Sequence, residues 1–524
     1  MLRGGLQLRT FRASAVLCAT PRVFQRALPL GCSDLVSFRR GNKQAPLNFA
    51  IQQRRKDEER GLVGRKGSGS FSVQAASSSG SAAPAAPLGP VVLAVLVACS
   101  GAIAFGFHLG VVNGPLEQIA LELGIQDNVA KCGAIVSSTL AGAALGSLSG
   151  GGVSDSLGRR NGLLLACVPM LMGPLLSATA TSFEAMVAGR FVAGVAIGLS
   201  SALVPTYISE VAPTNVRGTL GTLNQLCICL GILGALLVNV VLPPTAWRTM
   251  FLISAVPAAA LALGMFFSPE SPRWLQSKGL TAEAEKAAGS LWGASAKSEL
   301  GSGGGEAGGG KAPDVSFVQL ISQRSFQIGL LLFAFQQLAG INALVFFSTS
   351  VFQAAGVKSG TLASVAVGAT NVLGTVIAAG IIEKAGRTSL LMGSYLGQGV
   401  SMLAMAAAFV VPALLPHSGT IAVVGTITYV LSFALGAGPV TALLIPELNP
   451  SSTRARAVSA AFVSHWVCNV MVGQTFMIGV QAYGLPAVYA FFGAVAFSAV
   501  AYVKTQVPET RGKSFEQIQK ELSQ

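Results

Sequence analysis

The chain of 524 residues is 52% hydrophobic and 11% charged, and its mean hydropathy is +0.62. This composition is typical of a membrane protein and excludes an ordinary soluble globular domain. The formal net charge of +14 would suit a nucleic-acid binder, but residues 1–75 alone hold fourteen Lys and Arg against four Asp and Glu. Because the excess is concentrated in one segment, we expect no nucleic-acid partner.

That N-terminal segment, residues 1–75, is rich in Arg, Ser and Ala and poor in acids, which is typical of an organellar transit peptide. A secretory signal would need an uninterrupted apolar core, and Arg9 and Arg12 break it. The alternative is a disordered basic tail. Residues 76–88 contain Ser, Ala, Gly and Pro and are predicted to be a linker.

Apolar runs near or above the roughly 20 residues that cross a bilayer core of about 30 Å follow along the chain. We predict six spans in the first half, at 89–112, 132–153, 161–181, 184–206, 219–242 and 247–267. We predict six more in the second half, at 326–352, 362–382, 388–411, 419–445, 456–480 and 485–503. The chain is therefore predicted to be an all-α membrane protein of two six-helix bundles, 89–270 and 326–503, with a C-terminal tail, 504–524.

Basic residues are distributed unevenly between the loops. Loops after even-numbered spans, together with the tail, hold most of the Lys and Arg beyond residue 75. Loops after odd-numbered spans, span edges included, hold only Lys131, Arg248 and Lys358. This asymmetry is the positive-inside pattern of a protein that crosses the membrane many times. We call the side with the even-numbered loops the basic face and the other side the opposite face.

The central loop, residues 271–325, is the largest soluble insertion. Residues 281–291 are good helix formers, so we predict a short surface helix with Thr281 as its N-cap. Residues 301–311 are rich in Gly and superficially match a phosphate-binding loop. Ala312 replaces the hydroxyl residue that would hold magnesium, and no strand precedes the run, so we interpret it as a flexible linker.

Three short motifs occur twice in the same order, about 230 residues apart. This duplication indicates that the two halves of the chain are related by a parallel repeat. The pairs are Asp155-x-x-Gly158-Arg159 with Glu383-x-x-Gly386-Arg387, Glu210 and Arg217 with Glu447 and Arg454, and Pro269-Glu270-Ser271 with Pro508-Glu509-Thr510. Each motif lies at the edge of a long apolar run. Two bundles with such a repeat are typical of secondary transporters.

Amide side chains lie in the middle of several predicted spans, although an unpaired buried polar group costs about 1–3 kcal/mol. Gln337 and Asn342 are five residues apart, roughly 140° around a regular helix, so both reach one ligand only if the helix is distorted, for instance at Gly340. Amides both donate and accept, which suits the hydroxyls of a neutral sugar. The six candidate residues are Gln225, Gln336, Gln337, Asn342, Asn371 and Asn469.

Ionisable side chains within the spans are few and are functional candidates by default. They are His108 in span 1, Arg190 in span 4 and His465 in span 11. A proton-coupled carrier needs a group that gains and loses a proton, and only the histidines could serve; a packing role is the alternative for each. No nucleophile and base pair or metal-ligand cluster occurs at a useful spacing, so we expect neither an enzyme nor a cofactor.

Together these motifs resemble the sugar-porter branch of the major facilitator superfamily, over residues 95–520 or so. The resemblance rests on Phe105 to Gly110, Gly158-Arg159-Arg160, Pro205 to Glu210, Pro269 to Leu275, Gln336 to Asn342, Gly386-Arg387 and Pro508 to Gly512. Within the branch the chain is most similar to the plastidic glucose translocators, through His108, Gly436 to Pro439 and Val463 to Trp466. That likeness agrees with a transit-like N-terminus.

The resemblance implies roles for individual residues. It implies that the six mid-span amides bind hexose hydroxyls in a shared cavity. It also implies a set of charges that locks the bundles together at the basic face, namely Arg159, Arg160, Glu210, Arg217, Glu383, Arg387, Glu447 and Arg454. Ser156 replaces an Arg that is usual in the family, and Ala442 stands where many members have Trp, so the lock and the second-half side of the pocket depart from the family pattern.

The function expected from these observations is hexose transport, with glucose as the expected sugar, by alternating access and facilitated diffusion across the plastid inner envelope. Proton-coupled relatives have an Asp in span 1 where this chain has His108, which favours uniport. We expect a monomer in the lipid bilayer with a sugar substrate. The alternatives are a proton-coupled symporter with His108 as the titrating group, a sugar sensor that does not transport, and another organellar membrane.

Overall fold

The computed structural model describes residues 88–303, 319, 321–513 and 515–523, except for the side chains of 302, 303, 383, 451, 452, 454, 455 and 515. The predicted transit peptide and linker lie outside these residues, apart from Leu88. So does most of the Gly-rich run in the central loop. The described residues form helices joined by short turns, and they contain no β-strand.

Twelve helical segments in the described residues are long and apolar enough to cross a membrane, as the sequence predicts. Those of the first half are Leu88–Gly110, Val129–Leu157, Arg159–Ala178, Phe183–Val211, Arg217–Val241 and Pro244–Phe267. Those of the second half are Arg324–Ala354, Gly360–Ile382, Arg387–Ala408, Leu415–Leu448, Arg456–Tyr483 and Leu485–Gln506. We number them spans 1 to 12, so the all-α fold with twelve spans is confirmed.

Two spans of the second half are broken near their middle. Span 7 consists of helices Arg324–Leu338 and Ile341–Ala354, and Gly340 between them has a φ of 98°. Only glycine adopts such a left-handed conformation at little cost, so the predicted distortion at Gly340 is confirmed. Span 10 is interrupted at Gly436, between Ser418–Leu435 and Ala437–Leu448. At each break, backbone N–H and C=O groups in the centre of the bundle lose their partners within the helix.

Close helix contacts within the first bundle depend on glycines, which have no side chain. Spans 2 and 4 pack along their length, and a Cβ atom added at Gly194 would overlap the carbonyl oxygen of Thr139. The same holds for Gly142 against the carbonyl oxygen of Phe191. Small residues let the backbones of membrane helices approach in this way. The two bundles meet where span 2 packs on span 11 and span 5 on span 8.

Short helices on the basic face connect or follow the spans. In the central loop they are Pro272–Ser277, Thr281–Trp292 and Ala296–Gly303. The predicted surface helix is present, but Thr281 is its first helical residue and the cap position belongs to Leu280, which makes no side-chain cap; the predicted Thr cap is wrong. The helix is held instead by Trp292, which is fully buried and donates to the carbonyl of Val211 over 2.8 Å.

Candidate functional site

The repeated motifs of the first half meet at the basic face. The Glu270 carboxylate accepts hydrogen bonds from the backbone N–H groups of Arg159 (2.9 Å) and Arg160 (3.1 Å), at the start of span 3. A carboxylate suits this position because a helix N-terminus has unpaired N–H groups and a positive dipole end. Gly158 precedes them with a φ of 90°, and a Cβ atom there would overlap the Glu270 carboxylate.

The second half repeats this arrangement. The Glu509 carboxylate accepts from the backbone N–H groups of Arg387 (2.8 Å) and Thr388 (3.0 Å), at the start of span 9. Gly386 precedes them with a φ of 85°. Burial opposes ionisation of Glu509, but backbone N–H donors, chiefly those of Arg511, Arg387 and Thr388, outweigh it and hold the pKa of that carboxyl below its usual value. The sequence repeat is thus a repeat of local structure.

Charged pairs at the basic face link helices of one bundle. Arg159 Nη2 donates to Glu210 Oε1 over 2.9 Å, and its Nε lies 2.8 Å from Oε2. In the second half Arg387 Nη2 lies 3.2 Å from Glu447 Oε1. Each of these two acids also accepts a bond from a hydroxyl, over 2.5 Å from Ser271 to Glu210 and over 2.5 Å from Thr510 to Glu447.

The other residues of the predicted lock have different surroundings. Arg160 donates from Nε to the carbonyl of Met265 and from Nη2 to that of Phe266, so it caps the end of span 6 in its own bundle. Arg217 Nη2 lies 3.4 Å from the Thr214 hydroxyl. The side chains of Glu383 and Arg454 lie outside the described set. A lock between the two bundles at this face stays a prediction.

Three of the six predicted amides form one hydrogen-bonded chain around the break in span 7. Asn342 Nδ2 donates to Gln337 Oε1 over 2.6 Å, and Gln337 Nε2 donates to Gln336 Oε1 over 3.2 Å. Gln336 Nε2 donates to the carbonyl of Ala437 over 2.7 Å, next to the break in span 10. Gln337 Nε2 also lies 2.9 Å from His465 Nδ1 in span 11.

The remaining predicted amides are arranged differently. Gln225 is half-buried, and its Nε2 contacts the Cys229 thiol at 3.7 Å. That thiol lies 3.4 Å from the hydroxyl of Thr375 in span 8, across the interface between the bundles. Asn371 is buried, and its side-chain amide makes no hydrogen bond within the described part of the chain. Asn469 is 1% exposed, and its Oδ1 has no partner there either. Among the residues that the structure describes, no hydrogen bond joins these three amides to each other or to the amide chain of span 7.

His108 and Arg190 are buried together near the opposite face. Arg190 is 2% exposed and donates to the backbone carbonyls of His108 (3.2 Å) and Ile135 (3.4 Å), while its guanidinium lies 5.6 Å from the centre of the Phe251 ring. Carbonyl oxygens and an aromatic face therefore solvate this cation. Both ring nitrogens of His108 are buried without a partner among the described residues.

A neutral clamp joins the bundles at the opposite face. Asn113, which follows span 1 and is 1% exposed, donates from Nδ2 to the carbonyl of Val345 (2.5 Å) and the hydroxyl of Ser348 (2.8 Å) in span 7. Its Oδ1 accepts from the backbone N–H of Thr349 over 3.0 Å. All three polar atoms of span 7 that contact Asn113 belong to the other bundle, so this amide holds the two bundles together.

A second amide bridges the bundles nearby. Gln474 in span 11 accepts from the hydroxyl of Ser137 over 2.7 Å and donates to the carbonyl of Ala130 over 3.0 Å, both in span 2. The sequence analysis missed Asn113 and Gln474 because each lies towards the end of a span, where a polar residue is ordinary. Their uncharged partners carry no pattern that a sequence would reveal. In this conformation these contacts join the two bundles at the opposite face.

Comparison with known proteins places these features in context. Residues 94–522 match the family described as sugar (and other) transporter. Plastidic glucose transporter 4 of Arabidopsis thaliana is 48% identical over 461 residues, which cover 86% of this chain and 84% of that protein. Glucose transporter GlcP of Staphylococcus epidermidis is 34% identical, covering 82% and 97%.

A solved structure is similar over the same region. The inward-open conformation of the xylose transporter XylE from E. coli matches with a TM-score of 0.71 and 27% identity, covering 82% of this chain and 99% of that chain. The fold is thus shared with a solved sugar transporter.

Proposed function

The chain belongs to the sugar transporter family, and from that premise we propose that it carries glucose or a similar hexose by rocking of its two bundles around a central site. The main support for a sugar substrate is a chain of hydrogen-bonded neutral amides at the breaks in spans 7 and 10. It is formed by Gln336, Gln337 and Asn342. Amides can pair with hydroxyls in both directions without adding charge. Gln225, Asn371 and Asn469 complete the proposed hexose site. The chain carries out no covalent chemistry and works as a monomer.

The coupling mode proposed is facilitated diffusion. The cation in the first bundle, Arg190, is solvated by carbonyl groups rather than by a carboxylate that could exchange a proton. A uniporter needs usable affinity for substrate in both states, since very tight binding to one state would stall the cycle. Amide hydrogen bonds, worth about 0.5–1.5 kcal/mol each, suit such moderate binding.

A proton-coupled carrier is the second candidate, because one observation favours it. The ring nitrogens of His108 are buried without partners in the described structure, beside Arg190. Burying polar ring nitrogens without hydrogen bonds costs free energy, so their presence here suggests a role in another state of the cycle. In that mechanism His108 would bind a proton in one state of the cycle and release it in the other.

The proposed location is the plastid inner envelope membrane, with residues 1–75 as a transit peptide that is removed. The similarity to plastidic glucose transporters of Arabidopsis thaliana and the Arg- and Ser-rich composition of the N-terminus support this location. The proposed basic-face lock consists of the motif charges, which would pair between bundles when that face closes. A network made in only one state biases the equilibrium between states, although each exposed pair is worth about 0–1 kcal/mol.

A competition panel tests the proposed substrate class. The full chain is reconstituted in liposomes, and uptake of labelled D-glucose is measured against unlabelled D-glucose, D-galactose, D-xylose and L-glucose. We expect D-hexoses to compete and L-glucose to fail. Equal competition by L-glucose, or uptake no faster than in protein-free liposomes, would show that the chain does not select a hexose.

A further inference from the structure

The amide chain of span 7 has a direction that one backbone group determines. The carbonyl of Ala437 can only accept, so Gln336 must present its NH2 group there and its Oε1 towards Gln337. Gln337 must then present its own NH2 group to that oxygen. Because amide orientations follow from the network around them, the orientation of Gln337 is set without ambiguity.

The same reasoning fixes the state of His465. The NH2 group of Gln337 that meets Gln336 also lies 2.9 Å from His465 Nδ1. A ring nitrogen that accepts from an NH2 group carries no proton, so the imidazole is neutral with its proton on Nε2. The oxygen of Gln337 is thereby directed to Asn342, which donates to it over 2.6 Å.

Aromatic side chains hold the imidazole ring in this position. The rings of Phe333 and Trp466 make edge contacts with His465 at centroid distances of 5.1 and 4.9 Å. Phe462 packs at 6.0 Å on the same ring. Phe333 and Phe462 have no polar side-chain atom, and the Trp466 indole N–H makes no hydrogen bond among the described residues. Gln337 is therefore the hydrogen-bond partner of Nδ1 within the described structure.

From these contacts we propose that His465 is a positioning residue, whose Nδ1 anchors the NH2 group of Gln337 and so holds this amide in the orientation that the Ala437 carbonyl sets. This inference rests on the proposed function, since it assumes that Gln336, Gln337 and Asn342 bind the sugar. Without the acceptor at Nδ1, Gln337 loses one of its three hydrogen bonds and is held less firmly, and binding must then bear the cost of ordering it. His465 acts on substrate affinity through Gln337.

Two substitutions separate this role from simple packing. In His465→Asn the side-chain Oδ1 takes the place of Nδ1 and still accepts, whereas His465→Leu fills space but accepts nothing. Both variants of the full chain are reconstituted in liposomes, and the KM and maximal rate of D-glucose uptake are measured. We expect His465→Asn to keep a KM within about twofold of the parent and His465→Leu to raise it about tenfold, the loss of one hydrogen bond.

A double-mutant cycle with Gln337→Ala completes the test. If His465 acts through Gln337, then His465→Leu has no further effect on KM once Gln337 is removed. Additive effects, or a KM in His465→Asn as high as in His465→Leu, would overturn the inference and leave the proposed function standing. An absence of saturable D-glucose uptake by the unmodified chain would overturn both.

Discussion

Gly158 and Gly386 occupy matching positions in the two bundles, and each has a positive φ directly before a span. A ψ of 173° at Gly158 puts its backbone in a region that is nearly closed to other residues. Each glycine also leaves room for the carboxylate that caps the following helix, Glu270 or Glu509. Conformation and space therefore require glycine independently.

Replacing Gly158 by Ala is expected to destabilise the chain by about 1–3 kcal/mol, from backbone strain and loss of the Glu270 contact. Thermal unfolding of the purified protein in detergent measures it. Gly151 is the matched control, because it lies inside the helix of span 2 with open space around it. Gly151→Ala should leave the unfolding temperature unchanged or raise it. An equal effect of the two substitutions would show that Gly158 has no special role.

Removing the Gln336 side chain should weaken hexose binding, because Gln336 transmits the direction set by Ala437 to Gln337. Gln336→Ala is expected to cost about 1–3 kcal/mol of D-glucose affinity, measured as the KM of uptake. Gln398→Ala is the control, since Gln398 is also fully buried but bonds Ser394 in span 9. If both variants raise KM equally, loss of any buried amide would explain the effect.

These residues differ in how far the sequence could predict them. Gln336, Gln337 and Asn342 were predictable because burying a polar side chain in mid-span costs free energy, which makes such a residue a functional candidate. The hydrogen bonds that join these three amides were not predictable, because they depend on Ala437 and His465, which lie 95 or more residues away in the sequence. Asn113 was missed because it follows the end of a span, where amides are common.

At the scale of elements, the two broken helices, spans 7 and 10, bring their freed backbone groups to the amide site. The break in span 7 was predictable from the spacing of Gln337 and Asn342 around Gly340. The break in span 10 was not predicted, because Gly436 alone gives no such geometric argument. Sequence patterns located the spans to within a turn or two but did not show how their ends are capped.

The clamp at the opposite face, formed by Asn113 and Gln474, is predicted to hold spans of the two bundles together. Substituting Asn113 and Gln474 by Ala removes five hydrogen bonds between the bundles. At about 0.5–1.5 kcal/mol each, their loss should shift the population towards the state open at this face. Distances between spin labels at positions 124 and 358, on the opposite-face loops, should lengthen.

Gln118 offers a control on the same face. Its amide bonds Glu122 within one short helix, so it joins no spans of different bundles. Gln118→Ala should leave the label distances unchanged. If the double variant of Asn113 and Gln474 behaves like Gln118→Ala, the clamp does not determine which face is open.

At the scale of the whole molecule, the two faces are built from different chemistry. Charged groups and helix caps, repeated in each bundle, form the basic face. The ion pairs of Arg159 and Arg387 each join two helices of the same bundle. Neutral amides and hydroxyls join the bundles at the opposite face. The duplication was predictable from the sequence because its motifs are short and charged. The contacts that join the bundles at the opposite face were not predictable, since they form between uncharged residues that are distant in the sequence.

The most direct test of facilitated hexose transport is the level at which labelled D-glucose stops accumulating in liposomes that contain the full chain. The account predicts saturable entry that ends at equal concentrations inside and outside, with or without an imposed pH gradient. Accumulation above the outside concentration, driven by the gradient and abolished in His108→Ala, would contradict uniport and support proton coupling. No saturable entry at all would contradict hexose transport itself.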